Sequence, residues 1–365
     1  MKVNIITSMF NTTGYSNHGR QLSKALNKVV DLKITTQLPA GWELMADDEE
    51  IKMIQKADEP DRINIIIDLP FNWPLHTNKK QNIGFLVWEG DKIPPSFIEN
   101  IEDTRISQVW VPSNHVREAI LKTVSTDKIR VVPHGVNLSI FKPQEKQDKT
   151  LTFLCNKGFR NAYDRGGMQH AIRAFLEEFK PGEARLYLKL NPAYAMPPQH
   201  LTNFIEALRQ ELKIEPKDLP MIVYTYDTLS LPDLANLYNN VDVLLNPTEG
   251  EAFSLPCAEA MACGKPVITT DFGGQTDFVN EENGWLIPFT LHEVKHELVY
   301  EGVQWATPHM SELRKAMRSA YTDTNTRLEK GVKALQTIKD WTWDHSAQKA
   351  HTLLSSKVET NKQTL

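Results

Sequence analysis

The sequence predicts an α/β protein of two doubly wound, Rossmann-like domains facing a central cleft. Three observations carry this expectation. Short apolar runs alternate with longer helix-like stretches along nearly the whole chain, the pattern of a parallel sheet wrapped by helices. The runs fall into two sets on either side of a charged stretch, FKPQEKQDKT. A length of 365 residues suits two separate cores.

The first set of strands is VNIITS, LKITTQ, INIIID, NIGFLV, QVWVPS and IRVVPH; the second is LTFLCN, RLYLKL, MIVYTY, DVLLNP and KPVITT. Several are apolar at consecutive positions, as strands covered on both faces must be. With the linker placed after Phe141, residues 1–146 form the first domain and 147–340 the second. The segment 291–355 reads as helices. Its end, DWTWDHSAQKAHTLL, offers Trp341, Trp343 and Ala350 to anchor a last helix, 341–365, back on the first domain. The polar tail SSKVETNKQTL is expected to fray.

Composition sets limits on function. Hydrophobic residues make up 41% and charged residues 24%, the balance of a globular protein rather than a disordered or fibrous one. The net charge is -5, and residues 1–150 hold 19 Lys and Arg against 19 Asp and Glu. A neutral first half and an acidic second half disfavour nucleic acid, whose phosphate contacts dominate affinity, without excluding it. No basic face for an anionic membrane is evident either. The cysteines, Cys155, Cys257 and Cys263, are too few and too scattered for a disulfide framework or a four-ligand zinc site. No export leader and no membrane-spanning apolar run is apparent, so a soluble cytoplasmic protein is expected.

The sharpest motif is EAFSLPCAEAMACGKPVI, which begins at Glu251. A turn, Phe253-Ser254-Leu255-Pro256, separates Glu251 from Glu259, and proline at a first helical position starts a helix there. The strand DVLLNP lies just upstream, so the turn and the helix N-terminus sit at the carboxyl edge of the sheet, where α/β proteins bind ligands. Backbone N–H groups at such an end hold anions or sugar hydroxyls, and a carboxylate accepts hydrogen bonds from vicinal ribose hydroxyls. The competing reading is an amphipathic helix whose glutamates face water.

This pattern resembles retaining glycosyltransferase family 4, of GT-B fold, whose signature pairs two glutamates across seven residues before a helix, a G-x-P-V turn and a strand. Glu251, Phe253, Leu255, Pro256, Glu259, Ala260, Gly264, Pro266 and Val267 fall on its positions. The resemblance implies a nucleotide-sugar donor, with Glu251 and the backbone of Phe253, Ser254 and Leu255 on the sugar and Glu259 on the ribose. Tyr226, at the end of MIVYTY, joins this donor set. Ala252 and Ser254 stand where the family often has glycine, which bears on donor identity.

In NKGFRNAYDRGGMQHAIRAF, Arg160 and Arg165 match the spacing of the family's Arg-x(4)-Lys pair. Two cations beside a helix start suit a departing diphosphate, and arginine for lysine keeps the charge. The alternative is a solvated basic turn with Asp164 as its partner. Lys157 and Lys189 are secondary candidates for the same charge. In NTTGYSNHGRQLSKAL, Gly14 lets a phosphate approach where a Cβ would intrude, Ser16 is placed to cap the following helix, and a plain tight turn fits equally well. VPHGVN reads as architecture at the exit of the first domain.

Where many family members carry a histidine near the donor sugar, this chain has Trp88-Glu89. An aromatic face for a sugar ring and a carboxylate for its hydroxyls fit the acceptor or sugar side, and a structural ion pair for Glu89 fits as well. His18 and His115 read as surface residues. The resemblance implies a retaining transfer of a hexosyl or pentosyl group from a UDP- or GDP-sugar to a hydroxyl of a glycan or other acceptor, without a metal or other cofactor. The glutamates would bind rather than act as an acid/base pair, with Arg160 and Arg165 holding the leaving diphosphate. A nucleotide-sugar epimerase or hydrolase and a non-catalytic sugar- or nucleotide-binding protein remain as alternatives.

Overall fold

The computed structural model describes residues 1–11, 13–160, 164–295 and 298–360, with side chains up to 356. The chain divides into two compact units. The first comprises Met1–Gly135, Val294–Val303 and Trp341–Leu365; the second comprises Val136–Glu293 and Gln304–Asp340. The charged stretch read as a linker therefore belongs to the second unit, where Phe141 packs its ring edge-on to Tyr238 at 6.1 Å.

In the first unit, six parallel strands, β1 (Lys2–Ile6), β2 (Asp31–Thr35), β3 (Ile63–Ile67), β4 (Asn82–Phe85), β5 (Ile106–Val111) and β6 (Ile129–Val131), line up in the order β2-β1-β3-β4-β5-β6. All residues of β3 and β4 are buried, so their unbroken apolar runs reflect cover on both faces. Helices α1 (Gly14–Asn27), α2 (Asp48–Gln55), α3 (Ile98–Glu102) and α4 (Asn114–Leu121) connect the strands. Thr13, not Ser16, caps α1: its side chain accepts from the Ser16 N–H. Ser16 lies one turn inside and instead donates to Asn11 Oδ1 at 2.7 Å.

The C-terminal helix, Trp343–Thr360, packs on α1. Its residues Trp343, Ala347, Ala350 and Leu354 are buried. Gly135 lies so close to this helix start that a Cβ would stand 2.2 Å from the Trp343 nitrogen. Trp343 stacks over His18 and His134, and the two histidine rings are 4.1 Å apart. His18 is thus a core residue rather than the surface residue the sequence suggested, and His115 is half-buried.

In the second unit, β7 (Thr152–Lys157), β8 (Arg185–Leu190), β9 (Met221–Thr225), β10 (Val243–Asn246), β11 (Val267–Thr270) and β12 (Gly284–Ile287) form a parallel sheet in the order β12-β11-β10-β7-β8-β9. Helices α5 (Met168–Glu178), α6 (Pro198–Glu211), α7 (Leu231–Asn239), α8 (Leu255–Ala262), α9 (Met310–Thr322) and α10 (Thr324–Ile338) flank it. Phe153, Leu186, Leu188, Val243, Leu245 and Ile268 meet Phe175, Leu313 and Met317 in one core.

Within 291–355 the all-helical expectation fails. An antiparallel pair, β13 (Phe289–Glu293) and β14 (Gln304–Pro308), precedes α9. TLHEV and VQWATP are short and interleave β-branched residues with polar ones. Only their pairing with each other makes them a hairpin, because the charged connection hides their alternation.

Candidate functional site

The second unit has a topological switch point. From β7 the chain winds through β8 and β9 to one side, then returns to place β10, β11 and β12 on the other. The loops leaving β7 and β10 therefore start side by side and diverge, which leaves a crevice at the strand ends. Those two loops carry the arginines and the first glutamate.

They are fastened to each other through the backbone. The Arg165 carbonyl accepts from the Glu249 N–H at 2.8 Å and from Thr248 Oγ1 at 3.0 Å, and Arg165 Nη1 donates to the Gly250 carbonyl at 2.6 Å. Gly167, at φ +78° just before α5, makes the approach possible, since a Cβ there would lie 1.9 Å from the Pro247 oxygen. Asp164 shapes the turn by accepting from the N–H groups of Arg160 and Gly166.

Glu251 follows directly. Lys157, the last residue of β7, donates its ammonium to Glu251 Oε1. The Glu251 carbonyl accepts from the Gly274 N–H at 2.7 Å, and Gly273, at φ +113°, lies so close that a Cβ would come within 2.8 Å of that carbonyl oxygen. The glycine pair of GGQTDFV thus packs the backbone of Glu251, a role in which any side chain would intrude. Helix α8 then begins at Leu255 with proline in its first turn, preceded by Ser254 in the left-handed region at φ +71°. Phe253 is buried and packs on Phe278 at 5.0 Å. Its side chain fixes the turn, so its contribution to a ligand is through backbone alone.

Glu259 lies on α8, buried. It accepts from the Tyr238 hydroxyl at 2.9 Å, which in turn accepts from Asn156 Nδ2 at 2.9 Å. Burial pushes its carboxyl up to about 7, against the Tyr238 hydrogen bond and the nearby Lys189 charge, which lower it. A carboxyl raised in this way holds, in the folded unit, a proton that the unfolded chain releases. Stability is therefore full below the ordinary carboxylate range and declines as pH rises through about 7. The change amounts to about 3 kcal/mol between pH 4 and pH 8. Glu259→Gln is expected to remove that decline, seen as a smaller pH dependence of the urea midpoint than in the wild type. A wild-type slope in the variant would count against this account.

Arg160 lies on the same loop as Arg165, with its guanidinium 5.7 Å from the Tyr194 ring centre. Asn161, Ala162 and Tyr163, within the same motif, lie outside the described residues. Tyr226 follows β9. Its hydroxyl is buried without a hydrogen-bond partner among the described residues, and burial raises its pKa. Arg165, Glu251 and the α8 N-terminus are thus brought together at the switch point.

The remaining candidates are in the first unit. Gly14 begins α1, and a Cβ there would meet nothing within 4 Å, so packing does not demand glycine. Trp88 is not a platform for a sugar ring: it is 1% exposed, with Tyr300 stacked on one face at 4.7 Å, Phe97 against it edge-on, and its Nε1 donating to the Lys92 carbonyl. Glu89 accepts from the Tyr300 hydroxyl at 3.0 Å at the carboxyl end of β4.

Sequence reasoning undervalued Lys157 and missed Glu249, which is bonded to His170 at 2.6 Å and lies 3.4 Å from His292. The available signal for Lys157 was a lysine closing an otherwise apolar strand. Nothing in the local pattern pointed to the histidines.

Among the described residues, no helix is long and apolar enough to cross a membrane. A family model described as glycosyl transferases group 1 matches residues 194–299, which include Tyr226 and both glutamates. The chain is 25% identical over 249 residues to putative glycosyltransferase 45 of Sulfolobus islandicus filamentous virus, covering 65% of this chain and 64% of that protein. It is 24% identical over 232 residues to D-inositol 3-phosphate glycosyltransferase of Paenarthrobacter aurescens, covering 60% and 50%. The matches thus span about half to two thirds of these relatives' lengths. Among solved structures, sucrose-phosphate synthase from Thermosynechococcus elongatus superposes with a TM-score of 0.70 at 18% identity, over 99% of this chain and 100% of that one. Anabaena HepE in complex with UDP-glucose does so with 0.70 at 14%, over 98% and 100%. With two six-stranded parallel sheets wrapped by helices, the fold is GT-B, and within it residues 194–299 match the glycosyl transferases group 1 model.

Proposed function

We propose that this protein is a retaining, metal-independent glycosyltransferase that moves a hexosyl or pentosyl group from a UDP- or GDP-sugar to a hydroxyl of a glycan or other acceptor. The observation that carries the reading is the meeting of two cations, Lys157 and Arg165, with Glu251 and the N-terminus of α8 at the switch point of the second unit. A diphosphate suits the Arg165 charge and the N–H groups, and it is the leaving group of such a transfer, while the Lys157 ammonium is engaged with Glu251. The solved Anabaena HepE complex with UDP-glucose, of the same fold, supports the choice of donor class.

In this reading Arg160, Arg165 and the α8 N-terminus stabilise the negative charge that grows on the diphosphate as the glycosidic bond breaks. The acceptor hydroxyl attacks from the same face, and the departing phosphate oxygen takes its proton. Glu251 and the backbone of Phe253 to Leu255 hold sugar hydroxyls, and Glu259 the ribose. Tyr226 lies on the donor side, Gly14 leaves space for a phosphate, and Glu89 is kept for the acceptor or sugar. The glutamates orient the donor, and orientation supplies a large part of the rate enhancement.

A thermal-shift panel of UDP, GDP, ADP and their sugar conjugates tests the reading. A ligand at a hundredfold its Kd adds about 2.7 kcal/mol, a rise of several degrees for a unit of this size. Arg165→Ala is expected to weaken binding of the responding nucleotide by about tenfold or more. If no nucleotide shifts the transition, the reading fails. Fast donor turnover without acceptor favours an epimerase or hydrolase instead.

A further inference from the structure

We propose that Lys157 is a positioning residue that sets Glu251 to receive the donor sugar, an inference that rests on the donor-binding reading above. Lys157 closes β7 and Glu251 lies just beyond β10, on adjacent strands at the switch point. The side chains are 8% and 18% exposed, and the ammonium donates to Glu251 Oε1. Taking both charges out of water costs several kcal/mol per ion before their attraction repays it. The apolar residues Phe153, Leu154 and Cys155 already secure β7, so the strand does not need the pair to fold.

The geometry gives the pair a task. Glu251 is held at its backbone by Gly274 and crowded by Gly273, so the carboxylate has little freedom beyond its own rotamer. Lys157 takes one oxygen. Among the described residues the second oxygen, Oε2, carries no hydrogen bond, which leaves a fixed acceptor for sugar hydroxyls. Arg165 completes the bracing by holding the preceding carbonyl, that of Gly250. Lys157 thus acts on the sugar through Glu251, and its contribution belongs to the sugar rather than to the nucleotide.

The test compares calorimetric affinities for UDP and UDP-glucose, and for GDP and GDP-mannose, in the wild type, Lys157→Met, Lys157→Arg, Glu251→Gln and the double variant Lys157→Met/Glu251→Gln. Lys157→Met is expected to weaken the bound nucleotide sugar by about tenfold while its nucleoside diphosphate changes by less than about threefold. Lys157→Arg is expected to restore most of the loss, and Lys157→Met to add nothing in the Glu251→Gln background. Equal losses for both ligands, full additivity in the double variant, or no loss at all would each overturn the proposal. A purely structural role would move both ligands together with the melting temperature. Should Lys157→Met fail to fold, Lys157→Gln carries the same comparison. A wild type that binds none of the four ligands overturns the donor reading and this inference with it; a wild type that binds while Lys157→Met behaves like it overturns this inference alone.

Discussion

Gly167→Ala is expected to cost the second unit more than about 3 kcal/mol and to abolish nucleotide binding. Two effects add. Alanine in the left-handed region costs about 1 kcal/mol, and the new Cβ would meet the Pro247 oxygen at 1.9 Å and its carbon at 2.6 Å. Both neighbours are backbone atoms of the loop leaving β10, so relief requires the two loops to separate. Separation breaks the hydrogen bonds that Arg165 makes to Thr248, Glu249 and Gly250, each worth about 1 kcal/mol. Gly182→Ala is the control: φ there is +83°, but a Cβ would meet nothing within 4 Å, so only the conformational cost applies. Urea unfolding of both variants checks the argument. Equal losses would show that crowding at the loop junction does not matter.

The second large effect is acid sensitivity of the first unit. Burial lowers His134 to about 3 and His115 to about 4, and it lowers His18 strongly, with the charge of His134 adding to the effect. Both ring nitrogens of His18 are buried without a hydrogen-bond partner among the described residues, so a proton there would have nothing to pair with. His115 is hydrogen-bonded to the Glu89 and Gly90 carbonyls, with Lys122 opposing its charge and Asp91 favouring it. Because these folded-state values lie below the ordinary histidine value of 6.5, the unfolded chain takes up protons first as pH falls. The stabilisation is complete above about 6.5 and drains away toward 3 to 4. By pH 5, His115 and His134 together account for about 4 kcal/mol of loss. Tryptophan fluorescence during urea unfolding at pH 7.5 and pH 5 reads this directly, since Trp88, Trp110 and Trp343 are buried in the unit. His134→Phe is expected to reduce the difference, and equal wild-type midpoints at the two pH values would contradict the account.

Much of the fold was legible because its signals are local. The eleven apolar runs read from sequence coincide with β1 to β11, and proline near the start of α8 marked that helix. The strand Gly284–Ile287 was not among them. It is short, opens with glycine and is only half buried, so its membership depends on β11 pairing with it. The aromatic at Trp88 misled for a related reason. A tryptophan at a strand end reads alike whether its face is open or covered. Here the cover comes from Tyr300, remote in sequence.

By itself, the sequence determined two sets of buried parallel strands, the placement of Glu251 and Glu259 around a helix start, and the resemblance those residues carry. Periodicity and punctuation are properties of neighbouring residues, so they survive without coordinates. Only the tertiary structure decided that Lys157 pairs with Glu251, 94 residues away. It alone showed that Glu259 is buried under a tyrosine hydroxyl and that His18 and His134 share one aromatic pocket. Each depends on which strands and helices become neighbours, and that is settled by how the chain buries its apolar surface as a whole.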